Sequence, residues 1–189
     1  MSEISYLAGL DLGQPNEYTS LAILQRTITS NPREKFFAVR HLERFPLGTA
    51  YPAICDRVID LFDEPPLCNG NLVVDETGVG RAVTDMIRHA RPQAIIRPIT
   101  IIAGHAVVPD DAGWHVPKKE LVSALQVLLQ SRRLQVARGL PMAPVLVREL
   151  ETFRVEIKAS ANLSRLGESA TTMIWCWPSP CLRGWAIAG

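Results

Sequence analysis

Two aspartates end apolar runs that read as buried strands. Asp11 closes Tyr6-Leu-Ala-Gly-Leu-Asp-Leu-Gly13, and Asp75 closes the apolar part of Asn71-Leu-Val-Val-Asp-Glu-Thr-Gly-Val-Gly80. Carboxylates at the ends of neighbouring rigid strands, each followed by a glycine turn, can converge on one divalent cation. A hard ion such as Mg²⁺ takes oxygen ligands held in a demanding geometry. The pattern therefore points to metal-assisted phosphodiester chemistry. One such strand end alone is more often an ordinary turn, so the repetition carries the reading. Without a cation the pair is self-repulsive, and one of the two carboxyls is expected to have a raised pKa. Glu76, next to Asp75, is expected on the opposite face by strand alternation.

The elements that must position these acids follow from the hydrophobic period. Ser5–Leu12, Thr19–Thr27 and Lys35–Phe45 read as strands, joined by short links rich in Gly, Pro and Asn (Gly13–Glu17, Ser30–Arg33) that suit hairpins. An antiparallel meander is expected. From Pro46 the period changes, and Ile54, Val58, Leu61 and Phe62 fall on one helical face. Leu72–Val74 is a short buried strand; Val79, Val83, Met86, Ile87 and Ala90 mark a second helix; Ala94–Ile102 is another buried strand. Pro117 opens a long helix with the stripe Leu121, Leu125, Leu128 and Leu129. Leu134–Ala137 reads as a short strand and Met142–Phe153 as a last amphipathic helix.

The expected order is β-β-β-α-β-α-β-α followed by further helix. It implies an α/β protein with a mixed sheet and helices on both faces, the element order of the ribonuclease H-like fold. In such a sheet the first strand is central and the strand after the first helix lies beside it. Asp11 and Asp75 become neighbours at carboxyl ends of strands, where open α/β sheets place their sites.

Bulk properties narrow the class. A chain of 189 residues, 47% hydrophobic and 21% charged, makes one globular domain with a proper core. A net charge of +1 gives no global attraction to nucleic acid, so DNA contact requires a local patch. Met1-Ser-Glu-Ile does not read as a signal peptide, and no run approaches the roughly 18 apolar residues of a membrane span. Cys55, Cys68, Cys176 and Cys181 show neither a Cys-x-x-Cys pair nor zinc-ligand spacing, which fits reduced thiols in a cytoplasm.

The residues also resemble a known family. Gly9-Leu-Asp-Leu-Gly-Gln with Tyr18-Thr-Ser-Leu-Ala22 resembles the opening of the nuclease domain of phage terminase large subunits, and Val73-Val-Asp-Glu-Thr-Gly-Val-Gly80 resembles its second motif. Val116-Pro-Lys-Lys-Glu-Leu-Val-Ser-Ala-Leu-Gln-Val-Leu-Leu-Gln130, Leu134 and Arg148-Glu-Leu-Glu-Thr-Phe-Arg-Val155 are similar to its later helices. The resemblance spans residues 5 to about 168, with four segments in the family's order. It implies that Asp11 and Asp75 are catalytic, two of three metal-binding acids. Two Mg²⁺ or Mn²⁺ ions about 4 Å apart, bridged by Asp11, would then activate water against a phosphodiester of double-stranded DNA. In a virus such cutting trims concatemeric DNA during packaging. Relatives often carry Asp where this chain has Glu17.

A larger departure lies near the C-terminus. The family's third acid sits in a His-Asp-Asp-Leu-Val-Leu-Ala run that opens a final helix, whereas this chain reads Ser169-Ala-Thr-Thr-Met-Ile-Trp-Cys-Trp-Pro-Ser-Pro180. Regrouping the codons of this stretch from each third base forces Asp at Met-Ile, then Leu or Met, Val, Leu and Ala. The three preceding codons can encode only Tyr, His, Asn or Asp. The family's run fits inside that hidden reading. We therefore expect a reading-frame slip near Ser169, a ribonuclease H-like domain over 1–168, and an aberrant out-of-frame tail over 169–189. On this reading the tail's Trp175, Cys176, Trp177 and Trp185 have no evolved role, and activity is impaired. Glu168 is the nearest remaining carboxylate.

Lys118 and Lys119, at a helix start, are candidates for gripping DNA phosphates, with a solvated face as the plain alternative. Arg132, Arg133 and Arg138 are candidates for the same patch, although solvated surface is the plainer reading. His105 and His115 flank a Pro-Asp-Asp loop and are read first as ordinary loop residues. No Gly-x-x-x-x-Gly-Lys-Ser/Thr loop occurs, so a packaging ATPase would be a separate partner. The expected setting is the cytoplasm of a bacterial host cell, from a phage or prophage gene, with no membrane partner. Three rival readings stand beside this one. A sugar-kinase or actin-type ATP fold needs two lobes that this length lacks. A junction-resolving nuclease of the same fold fits the length but lacks its C-terminal acids too. A catalytically dead DNA-binding or assembly module remains the alternative of a different class.

Overall fold

β1 (Glu3–Asp11) is apolar on both faces because both faces are covered. Leu7 packs into one core layer, while Ala8 and Leu10 pack into the other. The computed structural model describes residues 2–14, 16–90 and 92–152. β2 (Ser20–Ile28) and β3 (Lys35–Arg44) complete the antiparallel meander. Then come α1 (Tyr51–Phe62), β4 (Gly70–Asp75), α2 (Gly80–Ala90) and β5 (Ala94–Ile102). They are followed by β6 (Val108–Pro109), β7 (Trp114–Pro117), α3 (Lys118–Gln130), β8 (Leu134–Val136) and α4 (Ala143–Thr152). The eight strands form one sheet in the order β6-β7-β5-β4-β1-β2-β3-β8. β1, β4, β5 and β7 run parallel to one another, so their carboxyl ends share one edge of the sheet.

The mixed sheet with helices on both faces is as expected. α1 and α2 cover one face through Ile54, Val58, Phe62, Val83 and Ile87. α3 and α4 cover the other through Leu121, Leu125, Leu128 and Leu146.

Three details differ from the expected pattern. The hairpin β6–β7 stands between β5 and α3, where no strand was read. It is too short to show alternation, and Pro117, read as a helix opener, ends β7 and caps α3. The turn is closed by Asp110, whose Oδ1 accepts the N–H groups of Ala112 and Gly113. In α2, Met86 is exposed and Thr84 is buried, its hydroxyl donating to the Gly80 carbonyl. In α3, Leu129 faces solvent and Val122 takes a core position.

The 1–168 boundary, Glu168 and the tail lie outside the described residues, as do Cys176 and Cys181. Cys55 and Cys68 are free thiols. No helix among the described residues is long and apolar enough to cross a membrane.

Candidate metal site

The parallel pairing of β1 with β4 matches Leu7 with Asn71, Ala8 with Leu72, Gly9 with Val73 and Leu10 with Val74. Asp11 and Asp75 each follow one residue later. Leu7 and Val73, on the same alternation as the acids, face the layer covered by α3 and α4. Both side chains therefore leave neighbouring strands at one edge of the sheet and on one face. Asp75 is buried and Asp11 half-buried.

The turns after the two strands are locked. The Gly13 N–H donates to Thr19 Oγ1 at 3.1 Å, and Tyr51 of α1 donates its hydroxyl to the Gly13 carbonyl at 3.1 Å. Glu17 accepts the Gln14 N–H on its carboxylate at 3.2 Å and returns its own N–H to the Gln14 carbonyl at 2.8 Å. After β4, Gly78 has φ +75° and Gly80 opens α2. A Cβ on Gly78 would lie 3.8 Å from Gln14 Nε2, so the two turns adjoin.

Burial pushes the Asp75 carboxyl above its ordinary range, and the neighbouring charge of Glu76 adds to the rise. Hydrogen bonds from Thr77 oppose it, including the N–H to Oδ1 at 2.8 Å. The leading cause of the rise is desolvation. Glu76 is buried too, with Oε2 3.9 Å from Arg81 Nε of α2. That contact puts it toward the α2 face, opposite Asp75. A buried carboxyl on each side of β4 is a costly arrangement for a strand end without a cation.

Two polar residues that the sequence reading did not single out share the row of the acids. Asp11 pairs with Ser20 on β2, and Ser20 pairs with Arg44 on β3. Ser20 is fully buried, and its Oγ has no hydrogen-bonding partner among the described residues. Arg44 donates from Nη2 to Glu149 Oε1 of α4 at 2.8 Å and lies over the Tyr18 ring at 4.9 Å. The available signal was positional: both residues stand at strand ends level with Asp11.

The structure divides the basic candidates. Lys118 and Lys119 follow β7 directly, on the edge shared by the carboxyl ends of β1, β4 and β5. Lys118 is half-buried, which lowers its ammonium pKa. Lys119 Nζ meets His105 Nδ1 at 2.8 Å. His115 instead pairs with Asp110 Oδ2 at 2.6 Å and closes the hairpin. Arg132 and Arg133 precede β8, and the Arg133 carbonyl accepts the N–H of Phe37 near the start of β3. They lie toward the opposite edge, away from the acids, so they belong to a different surface. Arg138 is exposed beyond β8.

Oxygen donors on adjacent rigid strands suit a hard divalent cation, and Asp11 and Asp75 end neighbouring strands on one face of the sheet. Among the described residues no group of three or more His, Cys, Asp or Glu side chains is assembled for a metal.

No protein-family model and no curated protein matches this chain. Solved structures do. The crystal structure of the large terminase nuclease from thermophilic phage G20c with bound magnesium superposes with a TM-score of 0.64 at 20% identity, covering 94% of this chain and 82% of that one. The same phage's nuclease with bound zinc gives a TM-score of 0.54 at 21% identity, covering 81% and 72%. The mixed sheet flanked by helices on both faces is thus a ribonuclease H-like fold, and this chain shares it with the large terminase nuclease of phage G20c.

Proposed function

We propose that this chain is a divalent-metal-dependent DNA endonuclease domain of the large-terminase type, acting in viral DNA packaging. The observation that carries the reading is the pairing of β1 with β4, which brings Asp11 and Asp75 together at one sheet edge in a chain with this fold. Asp11 and Asp75 would hold Mg²⁺ or Mn²⁺ through their carboxylate oxygens. When bound, the metal supplies activation of water and stabilisation of the leaving phosphodiester oxygen. The chain's own part is positional: rigid strands fix the two carboxylates, and Thr77 orients the Asp75 carboxyl through Oδ1.

Double-stranded DNA is the proposed substrate, with Lys118 and Lys119 on the same edge as phosphate contacts. Arg132 and Arg133 would at most touch DNA on a separate surface. A separate packaging ATPase is the proposed partner, in a bacterial host or from a prophage. The third acid would be the Asp hidden in the displaced reading of the Thr171–Pro178 stretch. As written, the chain would cut weakly or not at all. That same departure favours a second reading, a catalytically inactive DNA-binding or assembly module.

The test is plasmid nicking in Mn²⁺ by the written chain and by a chain with the frame restored after Glu168. Cutting by the restored chain supports the nuclease. DNA binding without cutting by either favours the inactive module.

A further inference from the structure

The carboxyl edge of the sheet carries a line of charge that runs across the strands. Read along it, Lys118 and Lys119 follow β7, Asp75 ends β4, Asp11 ends β1, Ser20 starts β2 and Arg44 ends β3. Asp11, Ser20 and Arg44 are register partners in one row. They share a face: Leu7, Ala22 and Leu42, on the same alternation, all pack in the layer under α3 and α4. The bond from Arg44 to Glu149 of α4 agrees with that face. Cations thus flank the acid pair on both sides, although the chain as a whole carries a net charge of only +1.

From this we infer that Arg44 is a substrate-positioning residue, holding a backbone phosphate on the far side of the acid pair from Lys118 and Lys119 so that the DNA strand runs across the carboxyl edge of the sheet. The inference rests on the nuclease reading and deepens it. Arg44 stands two strand spacings from Asp11, roughly 10 Å. That separation is on the scale of neighbouring phosphates on one DNA strand, so Arg44 would meet a phosphate close to one held at the acids.

The guanidinium is set up for the task. It is planar and offers five N–H donors in a fixed fork. Glu149 engages Nη2 and the guanidinium carbon sits over the Tyr18 ring at 4.9 Å, two contacts that hold the group in place before DNA arrives. A staple between β3 and α4 would account for the Glu149 contact alone. It does not account for the placement of Arg44 on the row of the acids. Nor does it account for the Ser20 hydroxyl between them, fully buried and without a hydrogen-bonding partner among the described residues.

The test is fluorescence anisotropy of a labelled DNA duplex with the full chain in metal-free buffer, where no cutting occurs. Affinity is followed from about 50 to 200 mM NaCl. Loss of one phosphate contact should make the slope of log K against log salt shallower by about 0.9 in Arg44→Gln. Arg44→Lys, which keeps the charge, should restore the slope, and Glu149→Gln should retain it. A slope in Arg44→Gln equal to wild type, with a melting temperature lowered as in Glu149→Gln, would make Arg44 a staple and overturn the inference alone. Should Arg44→Gln not fold, Tyr18→Ala tests the same contact through an exposed ring. Binding several-fold weaker with the slope kept is expected, and unchanged affinity overturns the inference. A wild-type chain with no salt-dependent DNA binding would remove the inference and the nuclease reading together.

Discussion

The backbone of Gly80 is packed so closely against the carbonyl oxygen of Asp75 that no Cβ fits between them. An added methyl would also lie 2.9 Å from the Asp75 carbonyl carbon. The glycine that opens α2 therefore lets the helix start directly beneath the strand end that carries the acid. Both contacting atoms are backbone, which cannot swing aside. Gly80→Ala should lose about 1–3 kcal/mol, as overpacking of a tight site does. At roughly 2–4 °C per kcal/mol for a chain of this size, the melting temperature should fall by several degrees. Calorimetric melting checks it; an unchanged melting temperature would mean that the turn relaxes freely.

Asp75 makes the metal-free protein sensitive to pH. Burial raises its carboxyl pKa in the folded state above the unfolded value. Its contribution to stability is therefore intact below the ordinary Asp range and is lost as pH rises through the raised value. Asp75→Asn keeps an oxygen for the Thr77 N–H and removes the buried charge. In chelator-treated protein it should be more stable than wild type near pH 7, by about 0.5–2 kcal/mol. The gain should shrink as pH falls toward the ordinary Asp range and vanish below about pH 3, where the wild-type carboxyl is protonated in both states. Denaturant unfolding at the two pH values decides, and a mutant no more stable than wild type at pH 7 would contradict it.

Much of this arrangement is legible in the sequence, for a physical reason. Buried parallel strands must be apolar throughout, so an Asp closing such a run stands out in Gly-Leu-Asp11 and Val-Val-Asp75. Helices α1 and α3 show because Ile54, Val58 and Phe62, and Leu121, Leu125 and Leu128, recur at helical spacing. The hairpin of β6 and β7 escapes because two to four residues hold no period. Met86 and Leu129 mislead because an apolar residue at the border of a stripe can face either way. Ser20 and Arg44 escape for a different reason: their meaning lies in the register between β1, β2 and β3, which no single segment contains.

Asp11 should be needed for metal binding and not for folding. Its side chain is half-buried at a strand end, so Asp11→Asn should keep the circular dichroism spectrum and melt cooperatively. Wild type should bind Mn²⁺ weakly in titration calorimetry, and the mutant should lose that binding. Equal heats from both proteins would take Asp11 out of the site.

Restoring the reading frame after Glu168 should raise two quantities together. A third acid would complete the ligand set, since Mg²⁺ tolerates missing ligands poorly. A regular final helix would cover apolar surface better than the Pro-interrupted stretch Trp175-Cys-Trp-Pro-Ser-Pro180. Mn²⁺-dependent nicking and the melting temperature should therefore both increase. If the written chain nicks plasmid as fast as the restored one, another carboxylate completes the site, with Glu168 the first to test.

The central claim is that Asp11 and Asp75 share a metal, and anomalous diffraction from a Mn²⁺-soaked crystal tests it most directly. The account predicts an anomalous peak between the two carboxylates, within coordination distance of an oxygen from each, and its loss in Asp11→Asn crystals soaked identically. A peak bound elsewhere, or none between β1 and β4 at saturating Mn²⁺, would contradict it.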